Sequence, residues 1–386
     1  MVSAKERPGT PLSCAAGLRT LALLTGVGLS GCGTSSEPIL IGLAGPFSQQ
    51  TAQSMLLAAQ LAASEINQQG GVNGRQLQLV VQDDSGMGDV AVQVARSFYD
   101  NPDIVAVVGH MNSGATLAAA RVYNGGDKPV VEISPSASSP EISNAGPYTF
   151  RVCPDDEVHG TQLADWAYRH LATRRVAVLY ENDAYGRGLR TTFSREFAGL
   201  GGQIVTQDPF STVLPSFEPY LTRIRLRGGA DAILFAGARE AAERMLSTIN
   251  VLRLDQTILS GDGVGGIETS DVDAEGTFVS LAYVHDQPGT RNEAFTSAYQ
   301  RATGGQLPDH RGAGAYDIVY LLSHVIEEVG TNRQRVRDYL SGIGTETDMF
   351  SGVTGSIGFD ANGDIVGRNV VIAVVQDKRL VSAAQR

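Results

Sequence analysis

Short apolar runs alternate with stretches of helical spacing along most of this chain. Ile39–Leu43 is a compact apolar run, and Ser54–Ile66 follows with apolar residues at helical intervals. Gln76–Val81 alternates as a strand does, Val90–Phe98 returns to helical spacing, and Ile104–Val108 is apolar without a break. A continuous run of that length fits a strand covered on both faces. Gly114–Tyr123 reads as a helix and Val130–Ile133 as a strand. The order β-α-β-α-β-α-β predicts a parallel sheet with helices on both faces.

The pattern restarts after residue 155. Leu163–Leu171 is helical, Arg175–Tyr180 a strand, and Leu189–Leu200 a helix that Gly201 and Gly202 stop. Ile204–Gln207, Phe217–Leu226, Ala230–Ala236, Ala241–Leu252 and Thr257–Leu259 continue the alternation. The predicted fold class is α/β, with two doubly wound parallel-sheet lobes. The 386 residues are enough for both, and no sequence repeat relates them.

Ligands of open parallel sheets bind beyond the carboxyl ends of the strands. Three such ends carry chemistry. In Val108-Gly109-His110-Met111-Asn112-Ser113-Gly114, Ser113 stands where it can cap the next helix, whose free N–H groups suit a carboxylate. In Ser134-Pro135-Ser136-Ala137-Ser138-Ser139, hydroxyls and amides cluster. In Ser260-Gly261-Asp262-Gly263, an acid follows a strand of the second unit. Together they describe a clamp for a zwitterion, with Asp262 for its ammonium. The plainer alternative makes Ser113 and Ser138 helix caps only, and Asp262 the closure of a turn onto the Gly263 amide.

The N-terminus changes the picture of where the protein works. Lys5, Arg7 and Arg19 precede or border an apolar run, Leu21–Leu29, that is too short for a bilayer but suits a signal peptide. It ends Leu29-Ser30-Gly31-Cys32, which resembles the lipobox of bacterial lipoproteins, where the Cys carries the lipid. Residues 1–31 are therefore expected to be a lipoprotein signal peptide and 32–36 a tether from lipidated Cys32. Losing 1–31 removes three positive charges and one negative, taking the net charge from −11 to −13. No basic stripe offsets that balance, so nucleic acid is not an expected partner. Cys14 leaves with the signal, so Cys153 has no disulfide partner within the mature chain. It reads as a small buried side chain rather than a nucleophile.

The order and spacing of several stretches resemble the periplasmic branched-chain amino-acid-binding proteins, the leucine/isoleucine/valine-binding type. They are Ile41-Gly42-Leu43-Ala44-Gly45-Pro46, Asn67 to Gly74, Gln82-Asp83-Asp84, Val108-Gly109-His110, Ser134-Pro135, Ala184 to Gly188, and Phe359-Asp360 with Gly363-Asp364. The resemblance implies two lobes joined by three crossovers: 37–155 with 286–368, and 156–285 with 369–386. It places carboxylate binding on Ser113, backbone and hydroxyl contacts on Ser136 and Ser138, a closing tyrosine at Tyr185 and the ammonium-binding acid at Asp262. It implies a monomer that delivers a small amino-acid-like solute to an ABC permease at the cell envelope, with no cofactor and no catalysis. Three departures point to a different side-chain pocket. Ala238 and Gln50 stand where aromatics are expected, and Gly86 and Asn112 where some members have a disulfide. A plain leucine ligand is not the expectation. Two other functions share the fold: a ligand sensor, and an envelope lipoprotein that regulates another enzyme.

Some patterns are set aside. Asp360-Ala361-Asn362-Gly363-Asp364 starts like a calcium loop but has Ile365 and Val371 where Gly and Glu belong, so a turn is expected. The six histidines show no metal-site spacing. His110 and Ser113 lack a nucleophile elbow. Arg223, Arg225 and Arg227 read as a solvated helix face, with a docking surface as the sharper alternative.

Overall fold

The computed structural model describes residues 37–383. The proposed signal peptide 1–31, Cys32 and the tether 32–36 lie outside the described residues. Along the chain come β1 (Ile39–Gly45), α1 (Gln53–Gln68), β2 (Leu77–Asp83), α2 (Gly88–Asp100), β3 (Ile104–Val108), α3 (Ser113–Tyr123), β4 (Val131–Ser134) and β5 (Thr149–Arg151). Then follow α4 (Asp156–Asp165), β6 (Arg175–Glu181), α5 (Ala184–Gly199), β7 (Gln203–Phe210), α6 (Glu218–Leu226), β8 (Ala232–Ala236), α7 (Arg239–Leu252), β9 (Thr257–Ser260) and β10 (Phe278–Leu281). The last third holds α8 (Thr290–Thr303), α9 (His310–Val329), α10 (Arg333–Gly342), the short pair β11 (Phe350–Ser351) and β12 (Ser356–Ile357), then β13 (Val371–Gln376) and β14 (Arg379–Ser382).

The strands form two main sheets, ordered β2-β1-β3-β4-β5 and β14-β13-β10-β9-β8-β6-β7. The first is parallel throughout, with Ile41 opposite both Leu79 and Ala106. The second is parallel from β7 to β10 and antiparallel at its β13–β14 edge. That edge departs from the purely parallel expectation. It is a hairpin whose turn residues, Asp377 and Lys378, both have positive φ, 50° and 58°. This primed turn geometry matches the twist of paired strands.

Alternation within each strand explains the unbroken apolar runs. In β1, Ile39, Ile41 and Leu43 face α1, α9 and α10, while Leu40 and Ala44 face α2 and α3. In β8, Ile233 and Phe235 face α6 and α7, while Ala232 and Leu234 face α4 and α5. Both sides of each strand are covered, so every position is apolar. Each fully buried Val, Leu, Ile or Phe contributes about 1.5–3 kcal/mol.

The chain passes between the two sheets three times: from β5 to α4, from β10 to α8, and from β12 to β13. Before the third pass, residues 360–364 form a turn. The Asp360 carboxylate accepts from Asn362 N and Asp364 N at 2.8 and 3.0 Å. Asp364 then receives Arg151 Nε at 2.6 Å. Arg151 is 1% exposed, and its guanidinium also donates to Ser139 O and Ser143 Oγ, each at 2.8 Å. No helix among the described residues is long and apolar enough to cross a membrane.

Candidate ligand-binding cleft

The carboxyl ends of β3 and β4 carry two loops that serines lock together. Gly109 lets the first loop start: a Cβ there would lie 2.2 Å from Ala44 O. Ser134 Oγ donates to His110 O at 2.6 Å, Ser136 Oγ donates to Met111 O at 3.0 Å, and Ser113 Oγ accepts from Ser139 N at 3.2 Å. Ser113 is not the cap of α3. Asn112 holds that position and makes no side-chain cap bond, because Ser113 already has helical geometry. The first N–H groups of α3 therefore receive no cap from Asn112, and a helix leaves such groups without intrahelical acceptors. Ser136 has spent its hydroxyl hydrogen on Met111 O and its N–H on Ser134 Oγ, which leaves its hydroxyl oxygen to accept. Ser138 is 1% exposed, and its Oγ makes no hydrogen bond of ordinary length but lies near enough to the Asp156 carboxyl to favour its charged form. Ser139, its neighbour, is the residue that caps, accepting from Glu141 N. The Ser113 hydroxyl accepts but can still donate.

His110, three residues before Ser113, is fully buried between Asp84 Oδ2 at 2.6 Å and Tyr123 Oη at 3.3 Å. Both ring nitrogens are engaged, so it is a structural residue. Cys153 is buried, its thiol donates to Ala137 O at 3.5 Å, and burial pushes the thiol far up. Gly86 and Asn112 are neighbours, since a Cβ on Gly86 would lie 3.4 Å from Asn112 Oδ1. The sequence places no disulfide where the fold has room for contact. Among the arginines set aside, Arg223 pairs with Asp208 and lies over the Tyr220 ring, while Arg225 and Arg227 are exposed.

In the second lobe, Tyr185 sits in the first turn of α5 and packs on the turn after β9. Cβ atoms on Gly261 or Gly263 would come within 2.6 Å of its ring or hydroxyl, so both glycines are needed for the approach. Gly263 N donates to Tyr185 Oη at 3.0 Å, and Gly265 N closes the turn onto Asp262 O at 2.9 Å. The Gly263 amide is therefore not held by the Asp262 carboxylate. Asp262 is 2% exposed, and its Oδ2 has no hydrogen-bond partner.

The structure adds four residues that the sequence reading missed. Asp156 and His159 lie one turn apart on α4 and are both fully buried. His310 and Arg311 open α9, after Asp309, which caps it. His159 Nε2 and His310 Nε2 each lie 3.9 Å from Asp262 Oδ2. Both Nε2 atoms and both Asp156 carboxylate oxygens are buried without partners. Burial, and then the charge of Asp262, raise the Asp156 carboxyl well above its ordinary range. Burial lowers the His159 imidazole, and burial with the Arg311 charge takes His310 down to about 4. Arg311 crosses from the first lobe to the second, donating to Asp262 O at 3.0 Å. The backbone of Asp156 links the two halves of the site, donating to Ser138 O at 2.8 Å.

Beside this cluster, both lobes line a cavity of about 430 Å³ whose walls include Gln50, Ser54, Arg239, Glu268, Tyr299 and His310. Gln50 and Arg239, the neighbour of Ala238, stand in walls that mix polar and apolar surface, with Leu281, Val284 and Leu380 among them.

The architecture has counterparts among known proteins. A family model described as periplasmic binding protein matches residues 38–379. An amino acid binding protein of Pseudomonas aeruginosa is 30% identical over 252 residues, which span 64% of this chain and 66% of that protein. A leucine-, isoleucine-, valine-, threonine- and alanine-binding protein of the same organism is 27% identical over 90% of this chain and 92% of its own length. The crystal structure of an ABC transporter substrate-binding protein from Desulfitobacterium hafniense in complex with Leu covers 90% of this chain and 100% of its own, with 30% identity and a TM-score of 0.77. With two α/β lobes, three passes between them and a family match over nearly the whole described chain, the chain belongs to the periplasmic binding protein family.

Proposed function

We propose that this protein captures a small amino-acid-like solute between its lobes and delivers it to an ABC permease, without transforming it. One observation carries the reading. Ser138 Oγ and His310 Nε2 from one lobe, and Asp156, His159 Nε2 and Asp262 Oδ2 from the other, are buried polar atoms with no partner. Such atoms are costly to bury and normally find a hydrogen bond, and a bridging solute would supply it. The Ser113 and Ser138 hydroxyls with the α3 N-terminus suit a carboxylate. Asp262 suits an ammonium, and Tyr185 and Ser136 complete the enclosure. The relatives that bind amino acids support the class. The polar side chains of Gln50 and Arg239 in the cavity wall favour a polar substituent over the plain side chain of leucine.

The two lobes, 37–155 with 286–368 and 156–285 with 369–386, are proposed to move as bodies about the three connections. A thermal-shift screen against amino acids, amides and aromatic acids tests the reading. A solute at 100 times its Kd stabilises the fold by about 2.7 kcal/mol. Small-angle scattering with a solute so found is expected to show a smaller radius of gyration. An unchanged radius at saturation argues for a second reading, a sensor or envelope regulator. That reading is favoured by the bonds of Arg311 to the second lobe, which hold the lobes together through protein groups alone.

Membrane attachment is proposed to run through lipid on Cys32. Cys32→Ala is expected to move the protein from the membrane to the soluble fraction and to abolish incorporation of labelled fatty acid. A variant that still sediments with membranes, with no label in the parent either, refutes the anchor.

A further inference from the structure

We propose that His159 and His310 join Asp262 in a three-acceptor seat that selects a primary ammonium over methylated cations. This rests on the ammonium role given to Asp262 above, and it names what else holds that group. The three side chains come from separate elements: α4, the start of α9, and the turn after β9. They are 0%, 2% and 2% exposed for His159, His310 and Asp262. Each imidazole Nε2 stands 3.9 Å from the same oxygen, Asp262 Oδ2. That exceeds the 2.7–3.2 Å of a hydrogen bond, so none of the three spends itself on another. All three atoms lack any partner.

The seat requires both rings to carry their proton on Nδ1. His159 Nδ1 lies 3.0 Å from Ser280 Oγ, a hydroxyl able to accept from it. That tautomer leaves the Nε2 lone pair facing Asp262. Burial lowers both imidazoles, so both are neutral near pH 7. The competing arrangement, two imidazolium ions paired to Asp262, needs the charged form that burial opposes. Other charged groups near the seat are Asp156 and Asp155 on the α4 side, Arg151 behind them, and Asp309 and Arg311 beside His310. Burial and the charge of Asp262 favour the neutral form of Asp156, so Asp262 is the anion that one cation between the lobes would meet. Among the described residues, no group of three His, Cys, Asp or Glu is arranged to hold a metal ion.

A primary ammonium brings three N–H donors to three bare acceptors. Each methyl group removes one donor and adds bulk where two lobes must close. Asp262 and His159 sit on one wall and His310 on the other, so the seat is complete only when the lobes meet. Specificity of this kind is strong because an analogue that lacks the donor leaves a buried acceptor unpaired.

The test is calorimetry on the full chain with the twenty proteinogenic L-amino acids and the N-methyl, N,N-dimethyl and N,N,N-trimethyl forms of those that bind. Affinity is expected to fall at each methylation, by about 100-fold or more in total. His159→Leu and His310→Leu are each expected to lose about tenfold or more. His159→Gln and His310→Gln, which keep an oxygen acceptor near the Nε2 position, are expected to recover most of that. A trimethyl form that binds like its parent overturns the proposal even if the leucine variants fail to fold. Leucine and glutamine variants that behave alike also overturn it. If no amino acid binds the parent protein, the ammonium reading of Asp262 falls and this proposal with it. If amino acids bind and only the histidine variants are silent, Asp262 stands and the seat does not.

Discussion

Asp262→Asn is expected to weaken binding of an ammonium-bearing solute by about 150- to 5,000-fold. The figure follows from the roughly 3–5 kcal/mol that removing one partner of a buried ion pair costs, at 1.4 kcal/mol per factor of ten. Asn keeps the shape and some hydrogen-bonding capacity, so the loss reports charge. The variant should fold as the parent does. Asp262 Oδ2 bonds to nothing in the protein, and the turn is closed by backbone, Gly265 N to Asp262 O. The melting temperature of the unliganded variant is measured first and should match the parent. Calorimetry then decides: a loss below about fivefold, against the two orders or more that a buried pair implies, removes Asp262 from ammonium recognition.

The largest effect on stability is expected from Arg151→Met. Arg151 is buried at the end of β5 and bonds to Asp364, Ser139 O and Ser143 Oγ, so one side chain ties the last turn of the first lobe to its edge strand. Breaking a buried pair costs about 3–5 kcal/mol. The lower end applies because Asp364, left behind, is 17% exposed and can be hydrated. For a unit of this size each kcal/mol shifts the melting temperature by about 2–4 °C, so a fall of roughly 6–12 °C is expected. Arg169→Met is the control. Arg169 and Asp165 are 61% and 46% exposed in their pair, and exposed pairs contribute ~0–1 kcal/mol. Equal melting shifts for the two variants would mean that Arg151 is not the tie described.

The sequence is most legible where packing alone dictates it. Ile104–Val108 reads as a strand covered on both faces, and β3 has those bounds with all five residues buried. The serine loops and the Asp262 turn follow β3, β4 and β9 as the sequence reading placed them, at the strand ends where ligands of such sheets are expected. Legibility fails on α4. Its first turns bury Asp156 and His159 instead of apolar residues, so the helical stripe emerges only near Leu163, and the sequence reading starts the helix there. On the proposed function the reason is recognition: these inward positions face Ser138 and Asp262 rather than the apolar core. His310 and Arg311 escape for a related cause. They follow the cap Asp309 in a helix buried along most of its length, where no amphipathic stripe marks an inner face. The β13–β14 hairpin is hidden differently, since its turn residues are Asp377 and Lys378 rather than Asn-Gly or a similar signal.

Each lobe is assembled from pieces that lie far apart along the chain. Ile39 of β1 and Phe359 share one hydrophobic cluster, and so do Ile233 of β8 and Val375 of β13. A nascent chain that has emerged only through β10 therefore holds a first sheet with α1 in place but α9 and α10 still missing from the same face. Pairings this remote form slowly, and exposed apolar surface invites aggregation in the meantime. Neither half can be finished before the C-terminal segment arrives, so synthesis leaves a long interval in which a holding chaperone has both something to bind and a reason to wait.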